Sequence, residues 1–232
     1  MRLQIDMELE QPELPRDYRR GFMSLIKAAL EKADGQLFRK MYDKKNLKPF
    51  TFSVYFPEMK GINGHHLQVG TRALLNFSTI DPILLAHVYN GLREQKHFPW
   101  GSYNRFTVHQ IRMLPQVRIK TSTCTFKTLS PFLVNRRQDN LQYLSAEDEG
   151  FDEGFKHSIR LLCQHFLGRS CDDMKYEIIN SRKMVVFHYG QPMTCNKAVI
   201  VMQADAEILN LLYDVGIGVR RNQGFGMLEI IK

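Results

Sequence analysis

Residues 216–232 read Gly216-Ile217-Gly218-Val219-Arg220-Arg221-Asn222-Gln223-Gly224-Phe225-Gly226-Met227-Leu228-Glu229-Ile230-Ile231-Lys232. Two Gly-x-Gly units frame a basic, polar centre. Glycine accepts positive φ and lets a backbone come close to a ligand. Successive exposed amides in such a loop make a concavity suited to phosphate, and paired guanidiniums add forked donors. The flanks decide what kind of glycine loop this is. Asp205 stands at an N-cap position, and Ile208, Leu209, Leu212 and Val215 follow at helical spacing. Residues 227–231 then form a short apolar strand. Dinucleotide and Walker fingerprints need a strand before the glycines and a helix after them. The order here is reversed, which excludes both. The loop then either lies along a polyanion, with Gly216, Gly218, Arg220, Arg221, Asn222, Gln223, Gly224, Phe225 and Gly226 on its backbone, or is a glycine-rich connector without a ligand.

Reading back from the loop, residues 197–203 are a strand and residues 176–189 one long strand or a hairpin. Residues 151–167 form a helix after a polar loop at 135–150, and residues 123–134 a strand. The first half has the same order. Leu3, Ile5, Met7 and Leu9 alternate with Gln4, Asp6 and Glu8, as in a strand with one wet face. Pro15 is expected to open a helix whose buried stripe is Phe22, Leu25, Ile26, Ala29 and Leu30. A short turn after Gly35 buries Leu37, Phe38 and Met41 and leaves Arg39, Lys40 and Tyr42 outward. Residues 50–56 are a strand rich in β-favouring side chains. A return strand runs over 67–80 after a turn at 61–64. Asp81-Pro82 opens a helix carrying Leu84, Leu85, Val88 and Leu92, and residues 106–114 are a strand. Strand, helix, strand, strand, helix, strand is the split βαβ order. The expected fold is α+β, two tandem ferredoxin-like (βαββαβ) domains at 1–117 and 118–232, with 115–121 as linker. No RNP-type aromatic motif marks either sheet; Phe50, Phe52 and Phe56 read as core.

The net charge of +8 favours an acidic partner such as nucleic acid. Cys124, Cys163, Cys171 and Cys195 have no Cys-x-x-Cys spacing, which points to free thiols in a reducing cytoplasm. Cys163, His165 and Cys171 raise zinc, but their spacing fits no common module. No metal and no cofactor is expected. No apolar run approaches a membrane span.

The terminal Gly-x-Gly, five residues, Gly-Phe-Gly and hydrophobic strand resemble the repeat-RNA-processing endoribonucleases of CRISPR systems, the sixth Cas family. Met1-Arg2-Leu3-Gln4-Ile5, Leu14-Pro15 with Tyr18, Lys48-Pro49-Phe50-Thr51-Phe52-Ser53 and Phe126-Lys127-Thr128-Leu129-Ser130-Pro131 resemble further stretches of that family in the same order. The resemblance implies an enzyme that cuts CRISPR precursor RNA within its repeats without metal. In that chemistry the ribose 2′-hydroxyl attacks phosphorus and leaves a 2′,3′-cyclic phosphate. The repeat RNA would be the partner, with room for a homodimer and for other Cas proteins. The reaction needs a base, an acid and positive charge for the transition state.

Carried over by position, the family's histidine site falls on Tyr42, its helix site on Lys27 and its lysine site on Lys48. Tyr42 departs from the pattern. A phenol of ordinary pKa near 10 is a poor base at neutrality, unless Lys27 or Lys48 lowers it; Tyr42 would otherwise act as the acid or position the phosphate. His65 and His66, near a turn, are the next candidates, while His157, His165 and His188 read as structural. Arg39, Lys40, Lys44, Lys45 and Lys48 form a phosphate track or an ordinary solvated turn. The same features also suit an RNA binder with little cleavage, or a ferredoxin-like subunit of an RNA-guided complex.

Overall fold

The computed structural model describes residues 1–43, 46–101, 104–137 and 139–231. In chain order the first half holds β1 (Arg2–Leu9), β2 (Glu13–Pro15), α1 (Arg19–Ala33), α2 (Gly35–Tyr42), β3 (Phe50–Tyr55), β4 (Gly61–Asn63), β5 (His66–Gln68), β6 (Arg72–Thr79), α3 (Pro82–Glu94), β7 (His97–Trp100) and β8 (Asn104–Met113). The long strands form an antiparallel sheet in the order β3-β6-β1-β8-β7. The alternation of β1 decides which face is dry: Leu3, Ile5, Met7 and Leu9 are all buried. α1 and α3 cover that face with the apolar stripes read from sequence. Asp81 caps α3 by accepting from the amides of Ile83 and Leu84 at 2.8 and 3.1 Å. The two helices approach closely at Gly91, where a Cβ would stand 1.9 Å from the carbonyl oxygen of Ala29.

The second half holds β9 (Thr123–Thr128), β10 (Asn135–Arg136), β11 (Asp139–Tyr143), α4 (Phe151–Leu167), β12 (Lys175–His188), β13 (Gln191–Gln203), α5 (Ala206–Val215) and β14 (Leu228–Ile230). Its sheet runs β12-β13-β9-β14, under α4 and α5. With the edge strand β7 set aside, the strands of each sheet run second, third, first, fourth in chain order. The chain is thus two tandem ferredoxin-like units, each with its own core.

Several elements differ from the sequence reading. Pro15 opens no helix. It pairs with His66 in a small sheet, β2-β5-β4, and α1 starts four residues later. The return strand breaks into β5 and β6 because Val69 and Gly70 turn their amides to the carbonyl of Pro12. The edge strand β7 was hidden by Pro99, which an edge tolerates. The polar stretch at 135–150 contains β10 and β11. β9 ends at Thr128, since Ser130 and Pro131 accept from the amides of Met227 and Gly226. β13 starts at Gln191, six residues before the expected Lys197, as the partner of β12. Asp205 places its backbone at the helix start, but its carboxylate meets Arg169 at 2.7 Å and does not cap α5. Tyr42 is not outward: its ring packs on Phe38 with centroids 4.9 Å apart.

A polar and aromatic seam joins the units. Arg2, only 6 % exposed, lies 3.6 Å over the Tyr213 ring and donates to the carbonyls of Tyr213 and Leu228 at 2.8 and 2.7 Å. Ser78 Oγ donates to the Asp214 carbonyl. Buried His188 has Nδ1 2.8 Å from Asp17 and Nε2 2.9 Å from Gln223.

The Gly91 approach gives a direct test. Gly91→Ala is expected to lower stability by about 1–3 kcal/mol, because its new methyl meets a fixed carbonyl. Gly35→Ala, with open space around its Cβ, should instead be neutral or stabilising by up to about 1 kcal/mol. Urea midpoints of the two variants against the parent chain measure both.

Candidate functional site

The site starts from the break between α1 and α2. Asp34, in an extended conformation, ends α1 and accepts from the amides of Gln36 and Leu37 at 2.9 Å each, starting α2 in a new direction. That turns Tyr42, at the end of α2, back toward Lys27 on α1. Lys48, just before β3, comes to the same ring. Lys27 Nζ stands 4.7 Å and Lys48 Nζ 5.1 Å from the centroid of the Tyr42 ring. Lys48 also donates to the Met41 carbonyl at the end of α2. The three positions carried over from the resemblance are therefore neighbours.

Their electrostatics differ from expectation at Tyr42. Its hydroxyl is buried with no hydrogen-bond partner. Burial pushes the phenol well above its usual value, and the lysines do not bring it down. That direction is opposite to the one a phenolate base needs. Burial, and then the charge of Lys27, lower the Lys48 ammonium. Two ammoniums beside one ring repel each other, and an anion placed between them would relieve that repulsion.

Two cavities meet at Lys48. One of about 340 Å³ is lined by Asn46, Leu47, Lys48, Leu161 of α4 and residues 218–222 of the glycine loop. The other, of about 400 Å³, includes Lys40, Met41, Lys48, Asp81 and His165 in its wall. Lys40 and Arg39 are exposed on α2; Lys44 and Lys45 lie outside the described residues. His65 and His66 sit at the β4–β5 hairpin and line neither cavity. Cys163 and Cys171 are buried, His165 is exposed, and all four cysteines are free thiols.

The glycine loop is a seam before it is a surface. Ile217 donates to the Gly226 carbonyl, Val219 donates to Leu133, and Gly226 donates to Pro131. At Gly218 (φ +72°) and Gly226 (φ +71°) a Cβ would stand 2.3 and 2.0 Å from the carbonyls of Leu133 and Ile217, so no other residue fits. Gly216 and Gly224 press on Thr51 and Phe52 of β3. Phe225 is fully buried and its carbonyl accepts from Thr51 Oγ1 at 2.9 Å, while Arg19 donates to the Gly224 carbonyl. Most of the amides expected to cradle phosphate are thus spent within the protein.

The two arginines also part company. Arg221 is 5 % exposed and donates to the carbonyls of Val215 at 2.8 Å and Lys48 at 3.3 Å; burial pushes its pKa down to about 10. Arg220, at φ 55°, stays half-exposed against Tyr143 and Gln223. Asn222 and Gln223 are half-buried, and Gln223 is engaged by His188. Nothing in the sequence marked Arg2, Arg19 and the Asp17–His188–Gln223 group as seam residues, because each depends on the partner unit.

The model for CRISPR associated protein Cas6, C-terminal, matches residues 113–230. The chain belongs to the Cas6 family. A curated relative, "CRISPR-associated endoribonuclease Cas6 1" of Methanocaldococcus jannaschii, is 21 % identical over 98 % of this chain and 92 % of its own length. A Cas6 endoribonuclease of Pyrococcus furiosus is 23 % identical over 94 % of this chain and 84 % of the relative. The solved structure of a Cas6-related protein from P. furiosus superposes with a TM-score of 0.86 over 100 % of this chain and 98 % of that one, at 21 % identity. The Cas6 fold is therefore shared across both units. Among the described residues no helix is long and apolar enough to cross a membrane.

Arg221→Ala is expected to lower stability by about 2–4 kcal/mol, since it orphans two buried carbonyls, whereas Arg220→Ala should cost about 1 kcal/mol. Chemical denaturation separates them. Tyr42→Phe removes an unsatisfied hydroxyl and should stabilise by about 1 kcal/mol at neutral pH. The folded phenol holds its proton more tightly than the unfolded one. The parent chain should therefore lose stability above pH 10 relative to Tyr42→Phe. Urea midpoints of both proteins from pH 8 to 11 check the sign.

Proposed function

We propose that this chain is an endoribonuclease that cuts CRISPR precursor RNA within its repeats, by attack of a ribose 2′-hydroxyl on the adjacent phosphorus. The observation that carries this is the pair of ammoniums, Lys27 and Lys48, held 4.7 and 5.1 Å from the centroid of the Tyr42 ring, with Lys48 in the walls of two cavities. A pentavalent phosphorane carries one more negative charge than the bound diester. Two fixed cations next to it supply stabilisation that grows in the transition state. The relatives named as endoribonucleases support the same chemistry.

Residues 1–117 then carry the cleavage site and residues 118–232 the glycine loop that walls it. The RNA backbone runs along Arg39 and Lys40, with Lys44 and Lys45, to the exposed rim of the loop at Arg220 and Asn222. Arg221 and the four glycines act by holding that rim in place. Tyr42 serves as an apolar platform for the two lysines, not as an acid or base. The reaction is metal-independent and the enzyme works in the cytoplasm. The buried phenol at the histidine position favours one second reading, a repeat-RNA binding protein with little or no cleavage.

Incubation with its own repeat RNA in EDTA, followed by analysis of product ends, decides between them. A 2′,3′-cyclic phosphate supports the enzyme; binding without cutting supports the binder. Lys48→Ala should lower single-turnover cleavage by at least about 10²-fold, with a much smaller change in affinity. Tyr42→Phe should keep the rate within about threefold while Tyr42→Ala, which removes the platform, loses most of it. A tenfold loss in Tyr42→Phe would restore a chemical role to the hydroxyl. Arg220→Ala should reduce the salt slope of RNA binding by about 0.7–0.9, the share of one phosphate contact.

A further inference from the structure

We propose that His165, on the second unit, supplies the imidazole for cleavage, acting across the cleft on RNA held by Lys48. The proposal rests on the endoribonuclease assignment. That assignment leaves the reaction without a base, because the Tyr42 hydroxyl is buried, unpartnered and firmly protonated.

α4 is placed to fill the gap. Ser158, Leu161 and Leu162 line the cavity of about 340 Å³, and His165 and Phe166 line the one of about 400 Å³. Spacings of three, four, seven and eight put these residues on one helical face. That single face of α4 therefore runs along both cavities, opposite Lys48, which lines both. Cavities of this size accept a ligand as large as a nucleotide. His165 is exposed, in the last turn of the helix, edge-on to Phe166 with ring centroids 4.6 Å apart.

Other histidines are committed elsewhere. His87 faces Asp34, His97 meets Thr107, His109 meets Glu8 at 2.9 Å, and His188 is buried between Asp17 and Gln223. Among the described residues, His165 is the one histidine that lines either cavity at Lys48. The other titratable groups lining its cavity are Lys40, Lys48 and Asp81. Asp81 is occupied in capping α3. The two lysines suit a phosphate, and the imidazole beside them suits the ribose hydroxyl.

The step balances without a redox change. The imidazole takes the 2′-hydroxyl proton as the O2′–P bond forms. The P–O5′ bond breaks, and the leaving 5′ oxygen takes a proton from the Lys48 ammonium, whose lowered pKa favours giving it up. Both groups then exchange with solvent. The products are a 2′,3′-cyclic phosphate and a free 5′-hydroxyl.

The test uses the full chain and its own repeat RNA in EDTA, under single-turnover conditions, with His165→Ala and His165→Gln. Cleavage should fall by about 10²–10⁴-fold in both, the loss expected for a general base, with affinity within about threefold. The pH–rate profile of both variants should lose the acid limb shown by the parent chain, and added imidazole should restore part of the rate to His165→Ala. Parent-like cleavage by His165→Ala overturns the assignment and leaves the endoribonuclease reading standing. So does a loss that follows affinity, with an unchanged pH profile and no rescue by imidazole. A parent chain that binds the RNA without cutting it overturns both.

Discussion

A guanidinium removed from water must be met by acceptors, or the fold pays several kcal/mol for it. Arg221 satisfies that constraint by donating to Val215, at the end of α5, and to Lys48, on the opposite unit. One side chain thus ties the glycine loop to the backbone of the lysine beside Tyr42. The distance between the cavity walls follows from it. So does the conformation of the loop, whose glycines yield the space for β3 and Leu133 to approach. Arg2 and Arg19 repeat the device on either side, each donating to carbonyls of the segment that ends in β14. The seam is a row of cations that read backbone oxygen, and it leaves the mobile-looking stretch at 216–226 among the most buried parts of the chain.

The same constraint explains why a basic loop was easy to find and hard to interpret. From sequence, Arg220 and Arg221 are equivalent neighbours. In the fold one faces the seam and the other the cleft. The two-residue alternation that made β1 legible does not extend to the burial of Arg2. It falls on the wet face with Gln4, Asp6 and Glu8, yet the partner unit covers that face at its start. Periodicity reports on a residue's own element; it carries no information about what a second unit brings against it.

Elements set by local chemistry were readable for the opposite reason. The Asp81 cap, the stripe of α1 and the span of α4 depend on residues a few positions apart. Both ferredoxin-like orders followed from them. What was missed was non-local or edge structure, such as β7 with its proline and the β10–β11 pair. The three positions around Tyr42 were found through a resemblance, and their proximity could not have been read from spacing. The state of the phenol depends on burial, which no spacing reports.

The strand order has a consequence for how the molecule comes into being. β14 completes the second sheet by pairing with β9, laid down about a hundred positions earlier, and the loop before it is what grips the first unit. Pairing over such separations is slow, because the closure entropy comes due before the contacts form. During synthesis the first unit, with Lys27, Tyr42 and Lys48, can fold while the loop is still inside the ribosome. Lys48 then lacks the cavity wall that residues 218–222 supply. That wall is in place only after the late strand docks, so a nascent chain holds the two lysines before it holds the whole cavity around Lys48.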